Sequence, residues 1–198
     1  MGLLFFILGA CFGSFLGVVV YRLPGKLPIG LSRSVCDECG QRIRWYDNIP
    51  ILSYLLLGGR CRYCKSRIPV RYLLIELITA SLFLFTYHQF GIGLKTLSLL
   101  VFFSILTAVS FIDFDTQKIP DVLTLPGMGA GLLLSLWTIS IVKSGIGLAV
   151  GIGILYIVAV IGKLFLKQEA MGGGDIKLLG MIGAFLGPPG VLLTLFFG

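Results

Sequence analysis

The chain has 198 residues, 57% of them hydrophobic, and a formal net charge of +7. Soluble domains contain about 45–50% apolar residues, so this composition excludes an ordinary soluble protein and predicts an integral membrane protein. The positive charge does not indicate nucleic-acid binding, because it is distributed as a membrane-topology signal that faces anionic lipid headgroups.

Six apolar segments are long enough to cross a hydrocarbon core of about 30 Å. They cover residues 2–21, 72–90, 96–112, 122–142, 146–165 and 178–197. With six crossings, fourteen of the sixteen Lys and Arg residues lie on one side, and only Lys95 and Lys143 lie on the other. The positive-inside rule makes the basic side cytosolic. We therefore expect an all-α polytopic membrane protein of about six transmembrane helices, with its N-terminus outside.

The first segment carries a stripe of small residues, namely Gly9, Gly13, Ser14 and Gly17. Small residues let a neighbouring transmembrane helix approach closely, and this packing role is the simplest interpretation. A ligand-binding role for the stripe is the alternative. Cys11, in the same segment, is interpreted as an inert apolar residue.

Residues 23–71 form a polar domain between the first and second helices. They contain two cysteine pairs, Cys36/Cys39 and Cys61/Cys64, each spaced C-x-x-C and separated by 21 residues. Four thiolates in this pattern predict a zinc site, which a domain this small needs for stability. Disulfides and redox-active dithiols are the alternatives, and the reducing cytosol favours zinc. We expect a small cytosolic zinc-ribbon-like domain.

Two polar connections on the predicted cytosolic face carry acids. Asp113 directly follows the third segment, and Asp175 opens the sixth after Gly172, Gly173 and Gly174. Three successive glycines leave room for another extended chain to lie against the backbone. Two carboxylates that meet across a helix bundle can share a proton and act as general acid and general base. This pair therefore predicts aspartic proteolysis.

Each acid also has a structural interpretation. Asp121 and Asp175 can cap the helices that follow them, and Asp115 can pair with Lys118 one turn away. Spacing alone leaves both catalytic and structural roles open for Asp113 and Asp175.

Several motifs occur in the order found in one known family. From about Gly9 to the C-terminus, the chain resembles the type IV prepilin peptidases, the bifunctional prepilin leader peptidase/N-methyltransferases of bacteria. One departure is Gly17, where the family usually has Asn. The matching blocks are Gly13-Ser14-Phe15-Leu16, Tyr21-Arg22-Leu23-Pro24, the cysteine pairs around Trp45-Tyr46-Asp47-Asn48-Ile49-Pro50, Arg71-Tyr72 with Glu76, Ile119-Pro120-Asp121 and Gly172-Gly173-Gly174-Asp175-Ile176-Lys177.

The resemblance implies an aspartic endopeptidase of the bacterial inner membrane, with its active site on the cytosolic face. The family's catalytic aspartates fall on Asp113 and Asp175, the latter in a GxGD motif shared with presenilin-type proteases. Gly172, Gly173 and Gly174 would form the substrate loop. The implied substrates are prepilins and pseudopilins of type IV pilus and type II secretion systems, cleaved after a Gly that precedes their hydrophobic helix.

The resemblance also implies a methyltransferase that uses S-adenosylmethionine to methylate the new N-terminal residue. Its candidate residues are Gly13, Ser14 and Glu76, beside a structural zinc ion at the four cysteines. The implied domains are a first transmembrane helix (residues 1–22), a zinc-binding domain (23–71) and a transmembrane peptidase domain (72–198).

Three other functions remain open. A peptidase without methyltransferase activity is the first. A membrane thiol-disulfide oxidoreductase would use the cysteine pairs as redox centres, although their cytosolic placement disfavours it. A non-enzymatic assembly scaffold would account for the zinc module but not for the two acidic connections.

Overall fold

The structure, a computed structural model, describes residues 1–28, 34–36, 38–166 and 172–197. Within these ranges the chain forms seven α-helices and one 3-10 helix, Trp45–Asn48. In chain order the α-helices are α1 (Gly2–Arg22), α2 (Leu52–Leu56), α3 (Val70–Phe90), α4 (Leu94–Thr116), α5 (Asp121–Thr138), α6 (Ile141–Leu166) and α7 (Gly173–Phe197).

Five of the described helices are long and apolar enough to cross a membrane, namely α1, α3, α4, α6 and α7. The predicted all-α membrane fold is therefore confirmed. The remaining predicted segment forms α5, which has 18 residues, begins on Asp121 and contains Pro126. At 1.5 Å per residue it is about 27 Å long, slightly less than the hydrocarbon core of about 30 Å.

The predicted end of the fourth segment at Val142 is wrong. α5 ends at Thr138, and α6 already begins at Ile141. Ser140, with a φ of 86°, turns the chain between the two helices. Because neither Gly nor Pro occurs at this turn, a segment assigned from hydropathy alone continues through it.

The predicted loop beginning at Asp113 is also shorter than expected. α4 continues through Asp113 and Asp115 to Thr116. The connection to α5 is therefore only residues 117–120, and both acids belong to the end of a helix.

The chain divides into two compact units, Met1–Gly91 and Ile92–Gly198. The first unit holds α1, α3 and, between them, the polar segment that contains α2 and both cysteine pairs. The second unit holds α4 to α7.

Close backbone contact joins α1 to α3 in the first unit. A Cβ added at Gly9 would lie 2.7 Å from the Ala80 Cα, and one at Gly13 would lie 2.7 Å from the Glu76 Cα. As α1 advances by four residues its partner on α3 recedes by four, so the helices are antiparallel. The packing interpretation of the small-residue stripe is confirmed, because side chains at these positions would separate the helices.

A second glycine contact joins α6 to α7. A Cβ at Gly147 would lie 2.3 Å from the Gly183 carbonyl oxygen, and one at Gly183 would lie 2.1 Å from the Gly147 oxygen. One turn away, a Cβ at Gly151 would lie 2.6 Å from the Leu179 oxygen. The backbones of the two helices therefore touch with no side chain between them.

Gly147→Ala should destabilise the second unit. The added methyl group has to push α6 away from α7, and overpacking of this kind costs about 1–3 kcal/mol. Gly153→Ala is the matched control on the same helix, because its Cβ would meet no heavy atom within 4 Å. Thermal unfolding of the purified protein in detergent should show a lower midpoint for Gly147→Ala only. Equal midpoints for the two variants would contradict the backbone contact.

Candidate functional site

The first candidate site begins at the end of α4. The Asp113 carbonyl accepts a 2.7 Å hydrogen bond from the N–H of Gln117, and Gln117 ends the helix in the left-handed conformation with a φ of 52°. The side chains of Asp113 and Asp115 are exposed, and Phe114 between them is 87% exposed. The end of α4 therefore presents carboxylates at the protein surface.

Asp175 lies in the first turn of α7, where the helix dipole favours a negative charge. Its side chain is exposed, and a Cβ at Gly172 would lie 3.3 Å from its Oδ2 atom. Gly173 and Gly174 belong to the first turn of α7, which Gly172 directly precedes, and the role of the three glycines as a substrate loop stays a prediction. Glycine at position 174 has a packing reason as well, because a neighbouring segment occupies the space beside it.

That neighbouring segment is the connection between α4 and α5. A Cβ at Gly174 would lie 2.8 Å from the Ile119 Cβ. Ile119 follows the end of α4 by three residues, and Gly174 directly precedes Asp175. Asp113 and Asp175 therefore lie at the same end of the second unit, as an aspartic pair requires, and the sharing of a proton between them stays a prediction.

An ion pair also joins α7 to α5 at this end. The Lys177 Nζ atom lies 2.7 Å from both carboxylate oxygens of Asp121. The expectation that Asp121 caps α5 is wrong, because Pro120 occupies the N-cap position and Asp121 is the first helical residue. This contact spans 56 residues of sequence, and no local motif indicates it.

The second candidate site is built from two similar turns in the first unit. The N–H of Gly40 donates to the Cys36 carbonyl at 2.8 Å, and the N–H of Lys65 donates to the Cys61 carbonyl at 3.1 Å. Gly40 and Lys65, each four residues after the first cysteine of its pair, have φ values of 66° and 60°. The same hydrogen bond and the same left-handed residue therefore close both cysteine pairs, and the two thiols of each pair lie near each other.

The four thiols meet in one cluster. The Sγ atoms of Cys36, Cys39, Cys61 and Cys64 all lie within 4.8 Å of one another, and those of Cys36 and Cys64 are 3.8 Å apart. A tetrahedral site with Zn–S bonds of about 2.3 Å places its sulfurs about 3.8 Å apart. The cluster thus has the donor atoms and spacing of a closed zinc site, in agreement with the predicted zinc-ribbon-like domain.

Local hydrogen bonds act on the acidity of these thiols. The backbone N–H of Cys39 lowers the pKa of the Cys36 thiol to about 6, against the opposing effect of burial. The Ser66 hydroxyl, 3.0 Å from the Cys64 sulfur, lowers the pKa of Cys64. Thiolates are the form that binds zinc, so these two shifts favour metal binding. The pKa of the Cys39 thiol moves the other way: a backbone hydrogen bond at Gln41 lowers it, but burial and the neighbouring thiols raise it to about 11.

An ion pair connects the second cysteine turn to the 3-10 helix. Arg62 makes two side-chain nitrogen contacts with Asp47, whose side chain is only 7% exposed. This hydrogen bond to Arg62 lowers the pKa of the Asp47 carboxyl. The ion pair therefore supplements the cysteine cluster in holding the polar domain together.

The methyltransferase candidates line a cavity in the first unit. This cavity has a volume of about 470 Å³, within the range of about 300–1,000 Å³ typical of small-molecule sites. Ser14 and Glu76 are among the residues that line it, and the N–H of Ile51 donates to the Glu76 carboxylate at 2.7 Å. Gly13 allows α1 to approach α3 at Glu76. The residues fit a small polar ligand held next to a buried carboxylate.

The chain matches two family models. Residues 7–90 match the model described as the Bacterial Peptidase A24 N-terminal domain. Residues 100–198 match the Type IV leader peptidase family. The first match lies within the first structural unit, and the second lies within the second unit.

Three relatives carry the name "Prepilin leader peptidase/N-methyltransferase". The protein of Myxococcus xanthus is 42% identical over 91% of this chain and 55% of its own length. Those of Pseudomonas putida and Klebsiella pneumoniae are 38% and 39% identical, over 96% and 94% of this chain and 74% and 85% of their own lengths. No solved structure matches the chain. The two family models together with the identity of these relatives over most of the chain show that it belongs to the type IV leader peptidase family.

Proposed function

We propose that this chain is a prepilin leader peptidase that uses Asp113 and Asp175 as its catalytic pair. The single observation that carries the proposal is the placement of both carboxylates at one end of the membrane-embedded second unit. The contact between Gly174 and Ile119 holds the start of α7 against the segment that follows α4. The names of the relatives support the same activity.

The proposed reaction is hydrolysis of a peptide bond by an acid–base pair. One carboxylate takes a proton from water, whose oxygen attacks the scissile carbonyl carbon. The other carboxyl group, in its protonated form, gives its proton to the leaving amine as the C–N bond breaks. Proton transfer of this kind contributes about 10²–10⁴-fold to a rate.

The proposed substrate is a prepilin or pseudopilin, cleaved after a Gly at the cytosolic membrane face. The bias of basic residues supports a cytosolic position for the end of α4 and the start of α7. Gly172, Gly173 and Gly174 form the proposed substrate loop. Gly172 and Gly173 are exposed, and a Cβ at Gly173 would meet no heavy atom within 4 Å. Open space beside Gly173 supports the passage of a substrate backbone next to Asp175.

A second proposed activity is methylation of the new N-terminal amine with S-adenosylmethionine. The names of the relatives include this activity. The cavity beside Ser14 and Glu76, made possible by Gly13, is the proposed site. The zinc ion at the four cysteines is proposed to be structural, because four thiolates leave no open position for a substrate.

The direct test is to incubate the purified protein with one native prepilin in detergent. Mass spectrometry of the products, with and without S-adenosylmethionine, reads both activities at once. Cleavage after Gly in both reactions, and a methylated N-terminus only with the methyl donor, supports the full proposal. Cleavage with an unmethylated N-terminus in both reactions would leave a peptidase without methyltransferase activity. An intact prepilin in both would overturn the peptidase.

The proposed orientation predicts a labelling pattern for introduced cysteines. The parent is Cys11→Ser, and its four remaining cysteines, all in the proposed cytosolic zinc site, set the background signal. Above that background, Lys95→Cys should react with a membrane-impermeant thiol reagent on intact cells, because the first turn of α4 is proposed to lie outside. Thr116→Cys should react only after permeabilisation, because the end of α4 lies in the cytosol. Labelling of Thr116→Cys on intact cells would place the aspartates on the wrong face for a cytosolic leader peptide.

A further inference from the structure

Ile51 adopts a strained backbone conformation in the first unit. Its φ and ψ angles are 63° and −53°, and the N–H of Leu52 donates to the Pro50 carbonyl at 2.6 Å. These are the features of the rare γ-turn whose central residue has a positive φ. A β-branched residue in this region is a genuine outlier, and such strain persists where the surrounding structure imposes it.

The strained turn directs one backbone donor at Glu76. The Ile51 N–H lies 2.7 Å from Glu76 Oε2, and Gly13 of α1 approaches the Glu76 backbone so closely that a Cβ there would lie 2.7 Å from the Glu76 Cα. Glu76 is therefore enclosed by α1 and by the polar segment, and only 9% of the residue is exposed. A carboxylate can accept about four hydrogen bonds, so the bond from Ile51 leaves acceptor capacity toward the cavity that Glu76 lines.

We propose that Glu76 is the residue that binds the α-ammonium group of the cleaved pilin and removes its proton. This inference rests on the proposed methyltransferase function. An α-amino group has a pKa of about 7.7–8.0, so it is mostly protonated at neutral pH and has no lone pair for attack. A carboxylate fixed beside the amine can bind the ammonium ion by its charge and can also accept the proton.

The balanced step begins with transfer of one proton from the α-ammonium group to the Glu76 carboxylate. The freed nitrogen lone pair then forms an N–C bond to the methyl group as the S–C bond of the sulfonium donor breaks and the sulfur keeps the electron pair. S-adenosylmethionine supplies only this electrophilic methyl group. The proton on Glu76 passes to water in the cavity and restores the carboxylate.

The chemistry of Glu76 fits the amine better than the sulfonium ion. An ammonium group offers N–H donors, and charge-assisted N–H···O bonds to a carboxylate are about twice as strong as neutral ones. A sulfonium ion has no such donor. Among the other charged residues that line the cavity, Asp47 is already paired with Arg62. The charged residues of the lining, apart from Glu76, are Arg22, Glu38, Arg42, Asp47, Arg62 and Arg67.

The first test measures binding without the methyl donor. A cleaved pilin peptide with a free N-terminus and its N-acetylated form are titrated against the full chain in detergent. Wild-type protein should bind the free amine at least about tenfold more tightly, since an ionised hydrogen bond contributes about 1.5–3 kcal/mol. Glu76→Gln keeps the size of the side chain and an acceptor for Ile51 but loses the charge, so it should bind both peptides equally.

The second test is the pH profile of methylation. Glu76→Gln should methylate about 10²-fold more slowly than wild type at neutral pH. Its rate should recover as the pH rises through about 8, where solvent deprotonates the amine. Glu76→Asp keeps a carboxylate, so it should retain the preference for the free amine and the wild-type pH profile at a lower rate.

The control is Thr79→Val on the next turn of α3. Thr79 is buried, and its hydroxyl donates to the Ile75 carbonyl at 2.7 Å, so this variant perturbs the same helix without touching the carboxylate. It should keep the preference for the free amine. If Glu76→Gln keeps that preference and the neutral-pH rate, Glu76 only anchors Ile51 and the inference is wrong. Cleavage without methylation by the wild-type protein would instead overturn the underlying methyltransferase function.

Discussion

Replacing Asp113 or Asp175 by Asn should abolish prepilin cleavage while membrane insertion and zinc content stay unchanged. Asn keeps the size of Asp, but it can neither take a proton from water nor give one to the leaving amine. Because general acid–base catalysis contributes about 10²–10⁴-fold, each variant should lose at least about 10²-fold in rate. The measurement is the initial rate of cleavage of a native prepilin by the purified protein.

Asp121→Asn is the matched control for this prediction. Its carboxylate lies at the same end of the second unit, but it is exposed and paired with Lys177. Exposed ion pairs contribute about 0–1 kcal/mol to the free energy of unfolding, so the variant should stay folded and cleave at close to the wild-type rate. Asp115→Asn should fall between the control and the catalytic variants.

Two outcomes would change the assignment of the catalytic pair. Substantial activity in Asp113→Asn, with none in Asp115→Asn, would move the first role by two residues along α4. Near-normal cleavage by Asp175→Asn would show that the protein is not an aspartic protease.

A Cys36→Ser/Cys61→Ser double variant should lose its zinc and loosen residues 23–71. Each cysteine turn then keeps one thiolate, and two thiolates do not close a tetrahedral site. The effect should be large, because structural zinc contributes about 10–16 kcal/mol of binding free energy in zinc-finger peptides. Elemental analysis should report the loss of metal, and limited proteolysis should report new cleavage within the polar domain.

Cys11→Ser is the control for the zinc prediction. Cys11 is exposed on α1 and is not a member of the cysteine cluster, so this variant should keep its metal and its proteolytic pattern. Stoichiometric zinc in the double variant would rule out the four-cysteine site. Oxidation that consumes the thiols of a zinc-free wild-type protein would instead favour a redox function.

The helices were predictable because their apolar runs are long, and the turn between α5 and α6 was not. Ser140 reverses the chain there with a φ of 86°, although serine is common in helices as well as in turns. The end of α4 was missed for a related reason. Polar residues such as Asp113 and Asp115 are compatible with the last turn of a helix, so hydropathy places the helix end too early.

The candidate sites also differ in how far the sequence alone predicts them. The cysteine cluster was predictable because each C-x-x-C turn is local and only two turns have to meet. The bond from Ile51 to Glu76 joins residues 25 apart through a backbone N–H, a donor that nearly every residue has. No side-chain pattern can therefore indicate it. Gly174 was recognisable as unusual, but its contact with Ile119 depends on how α4, α5 and α7 pack.

The backbone contact between α6 and α7 restricts how the second unit can change shape. Sliding one helix along the other would drive carbonyl oxygens into Cα atoms at Gly147 and Gly183, and tightly packed interiors yield little to such strain. The two helices therefore behave as one stiff hairpin that carries Asp175 at the first turn of α7. The proposed substrate helix therefore has to reach Asp175 by a route other than the seam of this hairpin.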